Sequence, residues 1–581
     1  MALPAAQSLP LLAWSKLVND AVTEPYLDEV FHVRQAQNYC QNRFDVWDPK
    51  ITTPPGLYLL SYIVSPVVGC DIFWLRSLNV FCLVALQAVV TWTYPLRKPG
   101  GYDHWASQHS ALNVTLFPPL FFFAALYYTD VPSTLSVLIF YWLFLHFSGP
   151  RKFSPLRTPA LVLSGISSLF FRQTNIFWVA IFPAGLVLVN ELDRAHDAVK
   201  NSMYRREEGF GDTWTSIVRT SWKMSAVYDP AVRNASISGT NLPSLQALQY
   251  SNTQPDYGKT AISIATLCLK LPTHPTRLAH TLQALLPYII TTLTFTILIH
   301  FNGSVVLGDK SNHTATLHLP QLLYLWPYLT FFSWPLLYPY LLTIPFGLFA
   351  QLPAVATLEA MLMFKRRRLG PQYWLLGICV GVACAVVHFN TIVHPFTLAD
   401  NRHYTFYVFR RLMNPWWVKF AVTPVYVLCA WACMQAMGAR PLDVSVYKDP
   451  AGKKNEDKSS QQSEDRHKPP TLPDGSSGAT TSFVLIWLAT TTLQLVTAPL
   501  VEPRYLILPW IFWRIHVPLQ NGSAQLARTD LTFRERLKTV DHRLLLETVW
   551  LLLINAGTGY MFLYQGFEWP QEPGRVQRFM W

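Results

Sequence analysis

Apolar residues along this chain gather into runs close to bilayer length, and polar residues gather between them. A helix needs ~20 residues to cross ~30 Å of hydrocarbon. On that measure the pattern predicts spans over residues 74–94, 108–127, 132–148, 159–171, 175–190, 283–301, 321–345, 373–389, 417–437, 482–500, 505–518 and 544–563. Several runs are short or interrupted by proline. Pro335, Pro339 and Pro345 break the one after Leu319, which reads as a single kinked span or as a span followed by a surface helix.

At the N-terminus, Leu9 to Val18 is too short and too polar to cross, although the alternation of loops wants a span just before Glu24. It reads as an interfacial helix or, preferably, as the remnant of a truncated first transmembrane helix, which brings the expected total to about 12 or 13. The expected organisation is a short segment 1–21, a polar loop 22–73, helices through 74–190, a loop 191–282, helices through 283–437 with loops 302–320 and 390–416, a loop 438–481, and a helical C-terminal part with a tail over 482–581. The fold class is therefore an all-α polytopic membrane protein whose first loop carries short amphipathic helices along the membrane surface.

Composition agrees, since 51% of residues are hydrophobic and 14% charged, against ~25% charged in an ordinary soluble domain. The net charge of +12 has a topological reading. Arg97 with Lys98, Arg151 with Lys152 and Arg157, residues 191–280, Lys365 to Arg368, residues 438–480 and Arg528 to Lys538 all fall on one face of the membrane, and basic loops stay cytoplasmic. These loops read as charged filler, and Lys453-Lys454-Asn455-Glu456-Asp457-Lys458 reads as disordered. With no recognition motif beside the charge, no nucleic-acid partner is expected. Residues 22–73, Asp130, the Arg172 turn, 302–320, 390–416, 501–504 and the C-terminus fall on the opposite, luminal face.

Eight cysteines are scattered without zinc-site spacing. Cys40 and Cys70 share the first luminal loop, where a disulfide and free thiols are both open readings. Sequons at Asn302 and Asn312 lie on the same face.

The opposite-face loops hold the concentrated chemistry. The first carries the adjacent carboxylates Asp28 and Glu29, then His32 and Trp47 among further aromatics. Downstream loops add Tyr127, Tyr128, Asp130, Arg172, Lys310, His313, Asp400, Asn401, Arg402, His403, Tyr404 and Arg504. A carboxylate at a bilayer surface is a candidate general base. Cations converging on its pocket suit an anionic leaving group, with phosphate the natural candidate.

The strings DEVFHVRQAQNYC, WDPKITTPPGLYL, RQTNIFWV, LADNRHYTFYVFRR, EPRYLILPW and VQRFMW, spread from about Glu24 to Trp581, resemble the dolichyl-phosphate-glucose α-1,2-glucosyltransferase family. That resemblance implies a GT-C type glycosyltransferase of the endoplasmic reticulum membrane, with its active site facing the lumen. It implies dolichyl phosphate β-glucose as donor and diglucosylated Man9GlcNAc2-diphosphodolichol as acceptor, glucosylated at the 2-hydroxyl of the terminal glucose. Neither metal nor cofactor is implied, because the donor has a single phosphate, and no DxD motif stands near the loops. Besides the two dolichol-linked substrates and the bilayer, other membrane proteins of the glycosylation pathway are candidate partners. The long segments 191–280 and 438–480 depart from the family pattern and read as insertions.

By analogy with the first-loop aspartate of GT-C enzymes, Asp28 is expected as the base, with Glu29 as its alternate. Arg402 is expected to hold the donor phosphate, followed by Arg504, His403 and Arg172, since a guanidinium grips two phosphate oxygens while staying charged. His32, Trp47, Lys310, His313, Asp400, Asn401 and Tyr404 are candidate substrate contacts. Each has a plainer reading: Asp28 and Glu29 as helix caps, His32 as a structural donor, Arg402 and His403 snorkelling to headgroups, Arg504 as an interface anchor, Arg172 as a partner of a neighbouring helix end, Lys310 and His313 as turn residues, and the aromatics as an interface belt. A polytopic transporter, a channel-regulating protein and a non-catalytic scaffold are the rival functions. A transporter would concentrate ionisable groups near the midplane in repeated helices, whereas here they sit at span ends on one face.

Overall fold

The computed structural model describes residues 2–97, 104–148, 155–194, 210–211, 213–232, 255–308, 310, 316–342, 344, 373–438, 478–498, 500–519 and 541–581. Helices dominate. Six of those described are long and apolar enough to cross a membrane: Ile72–Arg97, Asp130–Ser148, Gln173–Leu192, Pro275–Asn302, Val418–Ala436 and His542–Tyr564. Shorter or broken helices accompany them, among them Arg157–Leu169, Pro320–Leu341, Tyr373–Asn390, Thr481–Val496 and Ile507–His516. Each run expected to span thus contains helix.

The packing follows the sequence pattern. In Ile72–Arg97 the buried Leu75, Asn79, Leu83, Leu86 and Val90 recur at helical spacing, forming a stripe that packs against Asp130–Ser148. Ala2–Ala21 is longer than the Leu9 to Val18 stretch implied. It joins the core through Leu11, Trp14 and Val18, with the Trp14 indole donating to the Phe122 carbonyl at 3.2 Å.

Proline explains two departures. The expected span 108–127 is instead two helices, His104–Thr115 and Pro118–Phe123, followed by a buried loop, because Pro118 and Pro119 disfavour continuation of the preceding turn. The loop's carbonyls must then find other donors. Asn79 supplies them, donating to Leu126 O at 2.7 Å and Tyr128 O at 2.8 Å. Pro320–Leu341 is kinked at Ser333. There Pro335 cannot donate to the Phe331 carbonyl, and the Trp550 indole donates to it instead at 2.7 Å. Pro345 lies outside the described residues.

Two helices and a hairpin were not expected. Within 191–282, read as charged filler, Trp214–Met224 and Pro255–Lys270 form helices. After the last helix, Phe567–Trp569 and Glu572–Gln577 pair as an antiparallel hairpin. The loop 438–481 lies almost wholly outside the described residues.

One end of the bundle gathers Glu29–Cys40, Gly56–Val68, the 124–130 loop, the Arg172 turn and the 502–506 turn. Gly56 is required there: its N–H donates to Phe170 O at 2.7 Å, and a Cβ would sit 2.6 Å from that oxygen. Cys40 and Cys70 form a disulfide, bracing Glu29–Cys40 against the start of Ile72–Arg97. Toward the other end, Arg514 and Glu547 meet in a two-point ion pair at 2.6 Å for each contact, both fully buried, with Asn113 donating to Glu547 at 2.7 Å.

Candidate functional site

Asp28 and Glu29 are neighbours in the chain, but the fold separates their environments. Leu27 has a positive φ of 55°, uncommon for a branched residue, and this turn delivers Asp28 to the N-cap of Glu29–Cys40. The Asp28 side chain makes no capping bond. It is 55% exposed and lies 3.8 Å from the Arg504 guanidinium.

Glu29 is sealed, with no side-chain exposure. Its carboxylate accepts from Arg76 Nε at 2.8 Å and Nη2 at 2.7 Å, and from the backbone N–H groups of Tyr127 at 2.8 Å and Tyr26 at 3.1 Å. Arg76 also donates to Val22 O at 2.7 Å and Glu24 O at 3.2 Å. This pair therefore stitches the entry to the first loop onto Ile72–Arg97. The Glu29 carboxylate, expected as an alternate base, is in this geometry taken up by Arg76 and two backbone N–H groups and has no exposed oxygen.

Around Asp28 stand residues from three other loops. Arg504 pairs with Glu502 at 2.9 Å and passes over the rings of Phe123 and Tyr128 at 5.8 and 5.9 Å. Arg172 pairs with the buried Asp130 at 2.9 Å and donates to Thr129 Oγ1 at 3.2 Å. Burial works against the Arg504 charge, but Glu502, Asp130 and Asp28 outweigh it and hold the guanidinium more firmly protonated than usual.

His32 lies one helical turn beyond Asp28, on the same face. Its Nδ1 meets the Tyr58 hydroxyl at 2.6 Å and its ring lies edge-on to Tyr128. Desolvation, assisted by Arg504 and Arg172 and opposed by Asp28 and Asp130, lowers its pKa to about 4. At neutral pH it is an uncharged imidazole able to donate or accept, with no charge to offer a phosphate.

The 400–404 loop builds a second cluster. Arg402 forks onto Asp400 at 2.9 and 2.7 Å, donates to Gln577 Oε1 at 3.0 Å and lies 4.3 Å over the Trp569 ring. Burial opposes the Asp400 charge, but the Arg402 bonds prevail and hold that carboxyl below its usual range. Asn401 accepts from the Trp569 indole at 2.9 Å. His403 meets the Trp581 carbonyl at 3.2 Å and Asp400 at 3.8 Å, and Tyr404 packs against Trp581. Tyr26 links the two clusters: its hydroxyl bonds the Arg578 backbone at 2.7 and 2.9 Å while its N–H holds Glu29. Of the four expected phosphate ligands, the fold brings Arg504 to Asp28, with Arg172 near His32, and leaves Arg402 and His403 engaged in the second cluster.

Trp47 packs edge-on against Tyr58, its indole N–H buried without a hydrogen-bond partner. Lys310 turns back to the Asn302 carbonyl within its own loop, and that loop docks on the first through Leu307 N to Thr52 O at 3.2 Å. His313 and Asn312 lie outside the described residues. The sequence pattern assigned no role to Arg76, Glu502 or Arg578, gave Tyr26 a place only among the interfacial aromatics of the first loop, and gave Asp130 no more than a place on the luminal face. Arg76 did carry a signal: it is the one charge in its helix before the terminal Arg97, and an intramembrane arginine demands a partner.

A family model described as the DIE2/ALG10 family matches residues 22–515. A protein of Emericella nidulans is 39% identical, over 98% of this chain and 96% of its own length. One of Aspergillus fumigatus is 38% identical over the same shares, and one of Mus musculus 29% identical over 97% of this chain and 94% of its own length. All three bear the name Dol-P-Glc:Glc(2)Man(9)GlcNAc(2)-PP-Dol alpha-1,2-glucosyltransferase. No solved structure matches the chain.

Proposed function

The chain belongs to the DIE2/ALG10 family, and from that premise we propose that it transfers glucose from dolichyl phosphate glucose to the 2-hydroxyl of the terminal glucose on diglucosylated, dolichyl-diphosphate-linked Man9GlcNAc2. The observation that carries a mechanism is the contrast at residues 28 and 29, where one carboxylate is locked in an ion pair while its neighbour stands exposed and uncapped beside Arg504. The transporter, channel-regulator and scaffold alternatives are not favoured, since the relatives are named as glucosyltransferases.

In this proposal Asp28 accepts the proton of the acceptor hydroxyl as its oxygen attacks the anomeric carbon. A base in that position is worth about 10²–10⁴-fold. The anomeric carbon–oxygen bond breaks, and its electron pair leaves with dolichyl phosphate. A β-linked donor then gives an α-linked product in one inverting displacement. Arg504, with Arg172 behind it, meets the developing phosphate charge. Glu502 and Asp130 hold the two guanidiniums in place, so little reorganisation accompanies the reaction. Because the donor carries one phosphate, these cations suffice without a metal or cofactor. The 400–404 loop, with Asp400, Asn401, Arg402, His403 and Tyr404, is proposed as a wall of the acceptor side, and His32 and Trp47 as contacts at the donor side.

The proposed location is the endoplasmic reticulum membrane with the Asp28 end facing the lumen. The Cys40–Cys70 disulfide at that end suits an oxidising compartment. Glucose transfer by the purified chain to the diglucosylated acceptor, in the presence of EDTA, is the test. An α-1,2-linked product formed from dolichyl phosphate glucose sustains the proposal, and an EDTA-sensitive reaction or an inert, folded protein refutes the corresponding part of it.

A further inference from the structure

At the end of the bundle away from Asp28, Pro255–Lys270 is anchored at two points. Thr260 Oγ1 bonds Thr481 Oγ1 at 2.8 Å, at the start of Thr481–Val496. Eleven residues on, Leu271 packs with Leu192 at the close of Gln173–Leu192. Both contacts are helix ends on the same side, since Gln173 and Val501 mark the opposite, Asp28 side of the same two segments. A helix tethered in this way lies across the mouth of the bundle, parallel to the membrane plane.

Trp214–Met224 runs beside it. Ser221 and Ser263 hydroxyls meet at 2.7 Å, Lys270 donates to the Trp222 carbonyl and to Ser225 Oγ, and the Trp214 ring leans over Gly258, where no Cβ would fit. The far end is pinned at the same height, with Arg194 N donating to Ser225 O at 3.1 Å, Val227 N to Asp193 at 3.2 Å, and Arg277 to Leu192 O. The chain then crosses to the next helix start, where Asp229 accepts from Ser482 N at 2.7 Å.

The two helices bury Ser221 against Ser263 and also bury Ile217 and Leu267, while a second set of apolar residues on each is left exposed. Trp214, Val218 and Trp222 form an exposed stripe at four-residue spacing on the first, and Ala261, Ile262, Ala265 and Leu269 form one on the second, where Leu269 is 75% exposed. Arg219 and Lys223 lie at the rim of the first stripe. Pro275–Asn302 begins five residues after Lys270 and continues the apolar surface with exposed Leu282, Leu286, Ile289 and Leu293. Tryptophan and aliphatic side chains bordered by lysine and arginine, held level with the ends of membrane helices, are the chemistry of a bilayer interface.

We propose that Trp214–Met224 and Pro255–Lys270 form an in-plane helix pair seated in the bilayer leaflet opposite the Asp28 site, its two apolar stripes among the acyl chains and its cations at the headgroups. This seating does not depend on the glucosyl-transfer reading. The wild-type chain, reconstituted in phosphatidylcholine–phosphatidylserine nanodiscs, would be photolabelled by a phospholipid with a diazirine near the glycerol end of its acyl chain, and in parallel by a water-soluble diazirine. Peptide mass spectrometry then maps the adducts. The expected result is lipid adducts on both 214–224 and 261–269 at a yield comparable with the Leu282 to Leu293 surface. Labelling of the two stripes by the water-soluble reagent alone overturns the proposal, as does protection from both reagents, which signals a protein cover. Lipid adducts on one helix and not the other overturn the paired seating.

Discussion

Two regions of this bundle bury opposite charges, and they are built to different ends. Around Arg514 and Glu547 the fork is closed on itself, both side chains have no exposure, and Asn113 packs in as a third partner. Around Asp28 the carboxylates and guanidiniums come from four loops, Arg504 and Arg172 each keep a balancing acid, and Asp28 is left half in solvent at 3.8 Å from its nearest cation. The closed arrangement fixes helices; the open one leaves room for a substrate between a base and a cation. The boundary between the two styles runs through a single peptide bond, because Glu29 with Arg76 belongs to the closed kind. Density of charge is therefore a poor guide to function, and incomplete pairing at an accessible place is a better one.

Substitutions can break that contrast. Glu29→Gln and Glu547→Gln each leave a buried arginine without its counter-charge, a loss of about 3–5 kcal/mol, to be read as reduced thermal stability and folded yield in reconstituted protein. If either variant unfolded like the wild type, the closed class would be wrongly drawn. Arg504→Gln strikes the open region instead. It is expected to lower kcat by roughly 10²–10³-fold, the scale of removing one electrostatic contact to a developing anion, while the folded yield is kept.

The brace under the open region can be cut separately. Cys40→Ser with Cys70→Ser removes a disulfide closing a separation of 30 residues, worth about 2–4 kcal/mol, and denaturant unfolding measures it. The smallest effect concerns pH. With the His32 pKa lowered to about 4 by burial, the unfolded chain takes up a proton near pH 6.5 that the folded chain refuses. Stability is thus lost as pH falls from 6.5 toward 4, by roughly 1 kcal/mol per pH unit. His32→Gln should flatten that slope, and an unchanged slope in Tm against pH would remove His32 from the cluster.

Much of the architecture was legible because spanning a bilayer imposes a length on each apolar run. The 108–127 run misled because hydropathy is blind to chain direction, although Pro118 and Pro119 marked the break. Trp214–Met224 was hidden by reading its loop through overall charge, whereas its four-residue spacing of Trp214, Val218 and Trp222 was in the sequence throughout. At the site, the acidic pair and the arginine-bearing loops stood out. What no local pattern contains is which carboxylate faces which arginine: Glu29 finds Arg76 across 47 residues, and Arg402 is paired with Asp400 two positions away and covered by the ring of the distant Trp569. Those pairings depend on the turn at Leu27 and on where the C-terminal hairpin docks, both set by tertiary packing.

The central claim is that Asp28 alone of the adjacent pair does chemistry. Glucose transfer per folded molecule, measured for wild type, Asp28→Asn and Glu29→Gln with each normalised to its folded fraction, addresses it directly. The account predicts a fall of about 10²–10⁴-fold for Asp28→Asn with unchanged thermal stability, and near wild-type transfer from the surviving folded fraction of Glu29→Gln. Full activity in Asp28→Asn, or a loss per folded molecule confined to Glu29→Gln, would contradict it.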